Sequence, residues 1–252
     1  MINIILVGAN GKMGQVITKI LAESATAKIV CGIDINTLST NGFPVYPSFD
    51  AAKEECDVII DFSHPSSLEG TLSYALKNNK GVIMATTGLS CEQISSLKAA
   101  ADKIPVFFSA NMSLGVNLII QLAKKATALL EDAFDIEIIE KHHNLKIDAP
   151  SGTALAIADA INETCSESNE YVYDRHSVRK KRSKKEIGIH SLRGGTIVGE
   201  HSVIFAGNDE IIELKHTATS KEIFAVGAIK AAIFLANKGA GLYSMDDLIS
   251  EI

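Results

Sequence analysis

The fifteen residues from Lys141 to Leu155 hold two imidazoles, His142 and His143, the Lys146 ammonium and a helix start at Pro150-Ser151-Gly152-Thr153. Imidazole exchanges protons near neutral pH. A helix that opens this way offers backbone N–H groups to an anion. Proton donors beside an anion cradle point to a small acidic substrate that gains a proton. A single histidine would be read as structural; the cluster with Lys146 and the helix start reverses that reading. Glu140-Lys141-His142-His143 follow a predicted strand, on which neighbouring side chains point to opposite faces. If the strand persists, only one of the two histidines faces a given pocket. No metal site is indicated, because His142 and His143 are adjacent and no third ligand stands at suitable spacing.

A matching hydride source is written at the start of the chain. Gly8-Ala9-Asn10-Gly11-Lys12-Met13-Gly14 lies between a predicted strand, Ile2 to Val7, and a predicted helix carrying Val16, Ile17, Ile20 and Leu21. Glycines in that context allow a tight turn and bring backbone N–H groups close to a pyrophosphate. The spacing is Gly-x-x-Gly-x-x-Gly, and the alternative is a glycine-rich turn that binds nothing. Asp34 ends the second predicted strand about twenty residues on, where a carboxylate bonds the ribose hydroxyls of a dinucleotide. It would repel a 2′-phosphate, and no Arg or Lys lies between Ile35 and Asn41 to offset it. NADH is therefore expected to serve at least as well as NADPH. Lys12, which could reach a 2′-phosphate, argues the other way, and Asp34 also fits a plain strand-end turn.

These groups need a scaffold. Short apolar runs at Ile29–Ile33, Val58–Ile60, Val82–Met84 and Val106–Phe108 alternate with helix-like stretches near 66–77 and 91–103. That rhythm predicts a parallel sheet covered on both faces. After Asn111 it changes. A helix is expected over 114–130, a strand over 134–140, a helix from about Pro150 to Ile161, and strands over 187–192, 202–205 and 210–214. Thr219 and Glu222 have capping-box spacing. The helix they open should end near Lys238-Gly239, with Gly at C′. The fold class is thus α/β: a Rossmann-type dinucleotide-binding domain, 1–112 together with 220–252, plus a second α+β domain with an open mixed sheet, 113–219.

With 252 residues and 46% hydrophobic content, the chain suits one large or two modest domains with a real core. No apolar run approaches the roughly 18 residues of a membrane span, so no membrane association is expected. No secretory signal is recognisable, and Cys31, Cys56, Cys91 and Cys165 form no Cys-x-x-Cys pair, which fits reduced thiols and a cytoplasmic protein. The formal charge of −6 argues against a nucleic-acid partner. The basic run Arg175 to Lys185 reads as a solvated loop or as an electrostatic funnel for an anion. It lacks the interleaved aromatics of a nucleic-acid tail.

The segment Glu140 to Ala154 resembles the signature of the dihydrodipicolinate reductase family of the lysine and diaminopimelate pathway. The likeness covers nearly the whole chain. It includes Gly8 to Gly14, Asp61-Phe62-Ser63, Thr86-Thr87-Gly88, Ser109-Ala110-Asn111-Met112-Ser113, Leu192-Arg193-Gly194-Gly195, and Gly199-Glu200-His201 through His216-Thr217-Ala218-Thr219-Ser220. The resemblance implies NAD(P)H-dependent reduction of 4-hydroxy-tetrahydrodipicolinate, a small cyclic dicarboxylate, to tetrahydrodipicolinate by a homotetramer. It implies that His142 is the proton donor or acceptor and Lys146 the second donor. His143 and the Ser151-Gly152-Thr153 helix start would bind the substrate. The cofactor would be lined by Gly8, Ala9, Asn10, Gly11, Lys12 and Met13, by Asp34, by Ala85, Thr86 and Thr87, and by Ser109, Ala110, Asn111 and Met112. Arg193 reads either as a further carboxylate contact or as a surface turn. Two positions depart from the family pattern: Asn10 replaces a small residue, and Ser63-His64 replaces the common Thr-Arg pair. The rival readings are another two-domain dehydrogenase of a small acidic metabolite and a non-catalytic NADH-sensing binder.

Overall fold

The first apolar run forms β1 (Ile2–Val7), which sits between parallel neighbours on both sides and is buried from Ile4 onward. It belongs to the larger of two units in the computed structural model, which describes residues 1–39 and 41–251. That unit comprises Met1–Leu114 and Glu222–Ile252; the other is Gly115–Lys221. After β1 come α1 (Lys12–Leu21), β2 (Ala27–Ile33), β3 (Val45–Tyr46), β4 (Val58–Asp61), α2 (Leu68–Asn78), β5 (Gly81–Met84), α3 (Cys91–Ala101) and β6 (Pro105–Phe108). The chain returns after the second unit with α6 (Glu222–Leu235), β12 (Gly241–Tyr243) and α7 (Met245–Ser250). Among the described residues the strands run in the order β12-β6-β5-β4-β1-β2-β3, every pair parallel.

Alternation on the strands feeds two cores. Ile4, Leu6, Ile60, Ile83 and Phe107 pack with Ile17 of α1, Ala228 and Leu235 of α6 and Leu248 of α7. Ile5, Val7, Ile59, Met84 and Val106 face the other way, onto Leu72 and Ala75 of α2 and Leu97 and Ala101 of α3. Strands buried on both faces have no polar face to alternate, which is why they read as continuous apolar runs.

The second unit contains the body of α4 (Leu114–Leu130), then β7 (Asp135–His142), α5 (Gly152–Thr164), β8 (Glu170–Val172), β9 (Glu186–Arg193), β10 (Gly199–Ala206) and β11 (Ile211–Ala218). Its sheet, in the order β11-β10-β7-β9-β8, is mixed: β10 is antiparallel to β7 and β11, while β9 is parallel to β7 and β8. β7 alternates strictly, with Ile136, Ile138, Glu140 and His142 on the buried side. Ile136 and Ile138 join Ile187, Ile189, Val203, Phe205, Ile119 of α4 and Ile157 and Ile161 of α5 in one cluster. Each such isoleucine contributes roughly 1.5–3 kcal/mol by burial. Along that face the strand changes from apolar to ionisable, and the change marks the site.

Two expected helix ends are corrected. β11 runs to Ala218 and Thr219-Ser220 bend, so α6 starts at Glu222 and Glu222 takes the first helical position rather than the third. α6 also ends at Leu235, before Gly239, and Gly239 does not have the positive φ of a C′ glycine. Among the described residues no helix is long and apolar enough to cross a membrane.

Candidate active site

In a parallel sheet every strand points its C-terminal end at the same edge, and ligands bind there where the strand order reverses. Here the reversal lies between β1 and β4. Each expected cofactor segment follows a strand at that edge: Gly8–Met13 after β1, Asp34 after β2, Ala85–Thr87 after β5 and Ser109–Met112 after β6. Gly8 has φ +80°, and a Cβ there would lie 2.8 Å from the Phe62 carbonyl oxygen, so only glycine lets the loop lie against the end of β4. α1 has Gly11 at its N-cap and no side-chain cap, and it packs tightly enough that a Cβ on Gly14 would be 2.2 Å from the Gly8 carbonyl oxygen. An uncapped helix start behind a glycine turn fits a pyrophosphate.

Asp34 takes part in the loop itself. One carboxylate oxygen accepts the Asn10 N–H at 2.9 Å and the other the Asn36 N–H at 2.9 Å. The Asn10 amide nitrogen donates to the carbonyls of Asn36 at 2.6 Å and Leu38 at 2.9 Å. The departure at Asn10 therefore has a structural function: it ties the glycine loop to the segment after β2. At the end of β4, Asp61 is fully buried and accepts hydrogen bonds from the hydroxyls of Ser63, Ser67, Thr71 and Thr86. Thr86 also accepts the Ser63 N–H at 3.0 Å, so its hydroxyl is engaged within the protein. Thr87 and Ala110 are exposed, Ser109, Asn111 and Met13 are half-buried, and Ala9, Ala85 and Met112 are buried.

The second unit holds the ionisable cluster. Strand pairing sets His142 beside Arg193 and Glu140 beside His201. Glu140 is fully buried. Its Oε2 lies 2.6 Å from His142 Nδ1 and 2.8 Å from Arg193 Nη1. Its Oε1 accepts from Arg193 Nη2 at 2.6 Å and from the Ser151 N–H at 3.1 Å. Burial alone would raise this carboxyl, but hydrogen bonds from Arg193, Ser191 and His142 and the Arg193 charge hold it down at about 2. His201 is buried with its ring centroid 5.3 Å from that of His142, edge to face, and its Nε2 is 2.9 Å from Ser151 Oγ. Burial, then the neighbouring His142 charge, pushes His201 down to about 4. Gly199 adjoins the other edge of the His142 ring; a Cβ there would stand 3.2 Å from Nε2.

Beyond β7 the chain turns through Asn144, whose N–H donates to the Gly195 carbonyl, and Lys146, whose ammonium pairs with Asp148 at 2.8 Å. His143 is half-buried, and its carbonyl accepts the Lys146 N–H at 3.2 Å. Ser151 caps α5 by accepting the Ala154 N–H, with Gly152 and Thr153 forming the first turn. His142 and Ser151 are thus joined through Glu140, while among the described residues no side-chain hydrogen bond or ion pair joins His143 or Lys146 to His142. Arg193 is the last residue of β9 rather than part of a turn, and the carboxylate it meets belongs to the protein itself. Its terminal N–H groups go to Glu140 and to the Leu192 and Asp148 carbonyls, because a buried carboxylate at hydrogen-bond distance takes the guanidinium fork.

Sequence reasoning missed Glu140 and His201 as members of the site. Glu140 was legible, lying two residues before His142 on the same strand face; His201 depends on long-range pairing. The basic run is also partly internal. Arg175 pairs with Glu137 and Glu186, and Arg182 with Glu137 and Asp135, while Lys185 pairs with Glu167.

Comparison with known proteins accounts for both units. Family models described as dihydrodipicolinate reductase, N-terminus and C-terminus, match residues 2–112 and 115–249. The 4-hydroxy-tetrahydrodipicolinate reductase of Caldanaerobacter subterraneus subsp. tengcongensis is 51% identical over 251 residues, covering 100% of this chain and 99% of the relative. That of Clostridium tetani is 48% identical over 250 residues, covering 99% and 98%. A dipicolinate-bound dihydrodipicolinate reductase from Paenisporosarcina sp. TG-14 superimposes with a TM-score of 0.81 at 25% identity, covering 97% of each chain.

Proposed function

The chain belongs to the dihydrodipicolinate reductase family, and on that premise we infer that it reduces 4-hydroxy-tetrahydrodipicolinate to tetrahydrodipicolinate in lysine and diaminopimelate biosynthesis. The balance is one hydride and one proton taken up and one water lost. A bound nicotinamide supplies the hydride. Gly8, Ala9, Asn10, Gly11, Lys12 and Met13 hold its pyrophosphate, Asp34 its adenosine ribose, and Ala85–Thr87 and Ser109–Met112 its remaining length. Asp34 favours NADH at least as much as NADPH.

The observation that carries the catalytic assignment is His142: a buried imidazole held by Glu140 at Nδ1, with Gly199 beside Nε2. We assign His142 as the proton donor to the ring being reduced. Lys146 is the second donor and balances charge that develops on the substrate. Gly152 and Thr153, with Ser151 behind them, receive one substrate carboxylate at the positive end of α5, and His143 completes the substrate contacts. In this reading the chain acts as a cytoplasmic homotetramer; the large apolar Leu192 and Ile211 left exposed on the mixed sheet support the assembly. Light scattering tests the assembly.

Loss of NADH absorbance with freshly generated cyclic dicarboxylate tests the activity. His142→Ala and Lys146→Ala should each lower kcat by about 10²–10⁴-fold, the usual range for general acid catalysis, with cofactor affinity intact. Near-normal turnover by the double variant would refute the roles.

A further inference from the structure

We propose that Glu140 and Arg193 act as a positioning pair that fixes the tautomer and orientation of His142 and, through the same carboxylate, the start of α5. The inference rests on reading His142 as the proton donor. An ionised carboxylate only accepts hydrogen bonds. With Glu140 Oε2 2.6 Å from Nδ1, His142 must carry its fixed hydrogen on Nδ1. The lone pair of the neutral ring then lies on Nε2, and the transferable proton of the charged ring lies there too. Gly199 adjoins that edge.

Arg193 makes this arrangement tenable. A buried carboxylate without a partner is strongly unfavourable, and the guanidinium meets both Glu140 oxygens at once, 2.8 Å from Oε2 and 2.6 Å from Oε1. Its other terminal hydrogens reach the Leu192 and Asp148 carbonyls, so the same side chain anchors the loop that carries Lys146. The pair is built by register, since His142 stands beside Arg193 across β7 and β9. The second Glu140 oxygen also takes the Ser151 N–H at 3.1 Å, so one buried group sets the proton donor and the anion-binding turn together. Glutamine cannot replace it: Arg193 donates to both oxygens, so an amide NH2 on either side faces another donor.

The test uses the full-length protein without cofactor, labelled with ¹⁵N-histidine and observed at a pH where His142 is neutral. The His142 signals are those missing from His142→Asn. The expected wild-type result is the Nδ1–H tautomer. Glu140→Gln should admit the Nε2–H tautomer, lower kcat by about ten- to a hundredfold and raise substrate KM, with cofactor KM unchanged. Arg193→Lys, which keeps the charge and loses the fork, should fall between, and it carries the same readouts if Glu140→Gln does not fold. A wild-type Nε2–H tautomer, or Glu140→Gln turning over within about twofold of wild type, overturns the proposal. Failure of the donor reading looks different: His142→Ala then keeps normal turnover, whatever the tautomer.

Discussion

Gly199→Ala separates packing from chemistry. Gly199 opens β10, pairs with Ala218 of β11 and does not have a positive φ, so its backbone accepts alanine without strain. Replacing glycine at such a position typically stabilises by roughly 0.4–1 kcal/mol, through the unfolded chain. The new methyl, however, would stand 3.2 Å from His142 Nε2 and 3.6 Å from Cδ2. A group receiving the Nε2 proton must come within about 2.6–3.2 Å, so methyl and acceptor compete for the same shell. The ring can yield little, because its other nitrogen is 2.6 Å from buried Glu140 and it stands edge to face with the buried His201 ring. We therefore expect kcat to fall about ten- to a hundredfold, roughly 1.4–2.7 kcal/mol of barrier. Cofactor KM should hold; because the ring can yield little, the 3.2 Å contact cancels or exceeds the backbone gain, and the melting temperature should stay level or fall slightly. Steady-state NADH oxidation and differential scanning calorimetry read both quantities. Unchanged kcat would mean that Nε2 is not the edge that transfers the proton. A lower melting temperature with intact kcat would make Gly199 a packing glycine and nothing more.

The ratio of kcat/KM for NADH and NADPH should be at least one; an NADPH preference above about tenfold, roughly 1.4 kcal/mol, refutes the role given to Asp34. Stability should decline in acid in two adjoining windows. His201 takes a proton near 6.5 when unfolded but only at about 4 when folded, so stability present above pH 6.5 is lost as the pH falls toward 4, by about 3 kcal/mol. Glu140, held at about 2 against 4.5, loses its contribution from pH 4.5 downward. A melting temperature constant from pH 7 to 4.5, or one that His201→Asn fails to flatten, counts against this assignment. Arg182 bonds Glu137, Asp135 and the Ile136 and Glu186 carbonyls, so Arg182→Ala should cost about 1–3 kcal/mol of stability at unchanged kcat. Raised substrate KM with unchanged stability would instead favour the funnel reading of the basic run.

What sequence alone could reveal depended on length and period. β1, β4, β5 and β6 are strands with both faces covered, and three to five apolar residues between turn signals suffice to see them. α4 was legible to its bounds, 114–130, because seventeen residues span several helical turns. β3, β8 and β12 have two or three residues and no period, and their pairing partners define them. The capping-box spacing at Thr219–Glu222 misled because β11 continues through Ala218, and tertiary pairing overrode a local signal. In the site, His142, Lys146 and Ser151-Gly152-Thr153 were visible as types at short spacing. Arg193 was visible as a residue but not as a partner: its contact with Glu140 exists only once β9 pairs with β7. His201 needed the β10 register in the same way.

The clasp between Asn10 and the segment after β2 constrains how nucleotide preference can change. Asp34 holds the Asn10 backbone, and the Asn10 amide holds the Asn36 and Leu38 carbonyls. A substitution at Asp34 made to admit a phosphate would remove the group proposed to bind the ribose and unfasten the glycine turn in the same stroke. The passable route, for selection or for an engineer, runs through the exposed side chains at 35 and 38, where a cation can be introduced while the fastening stays intact.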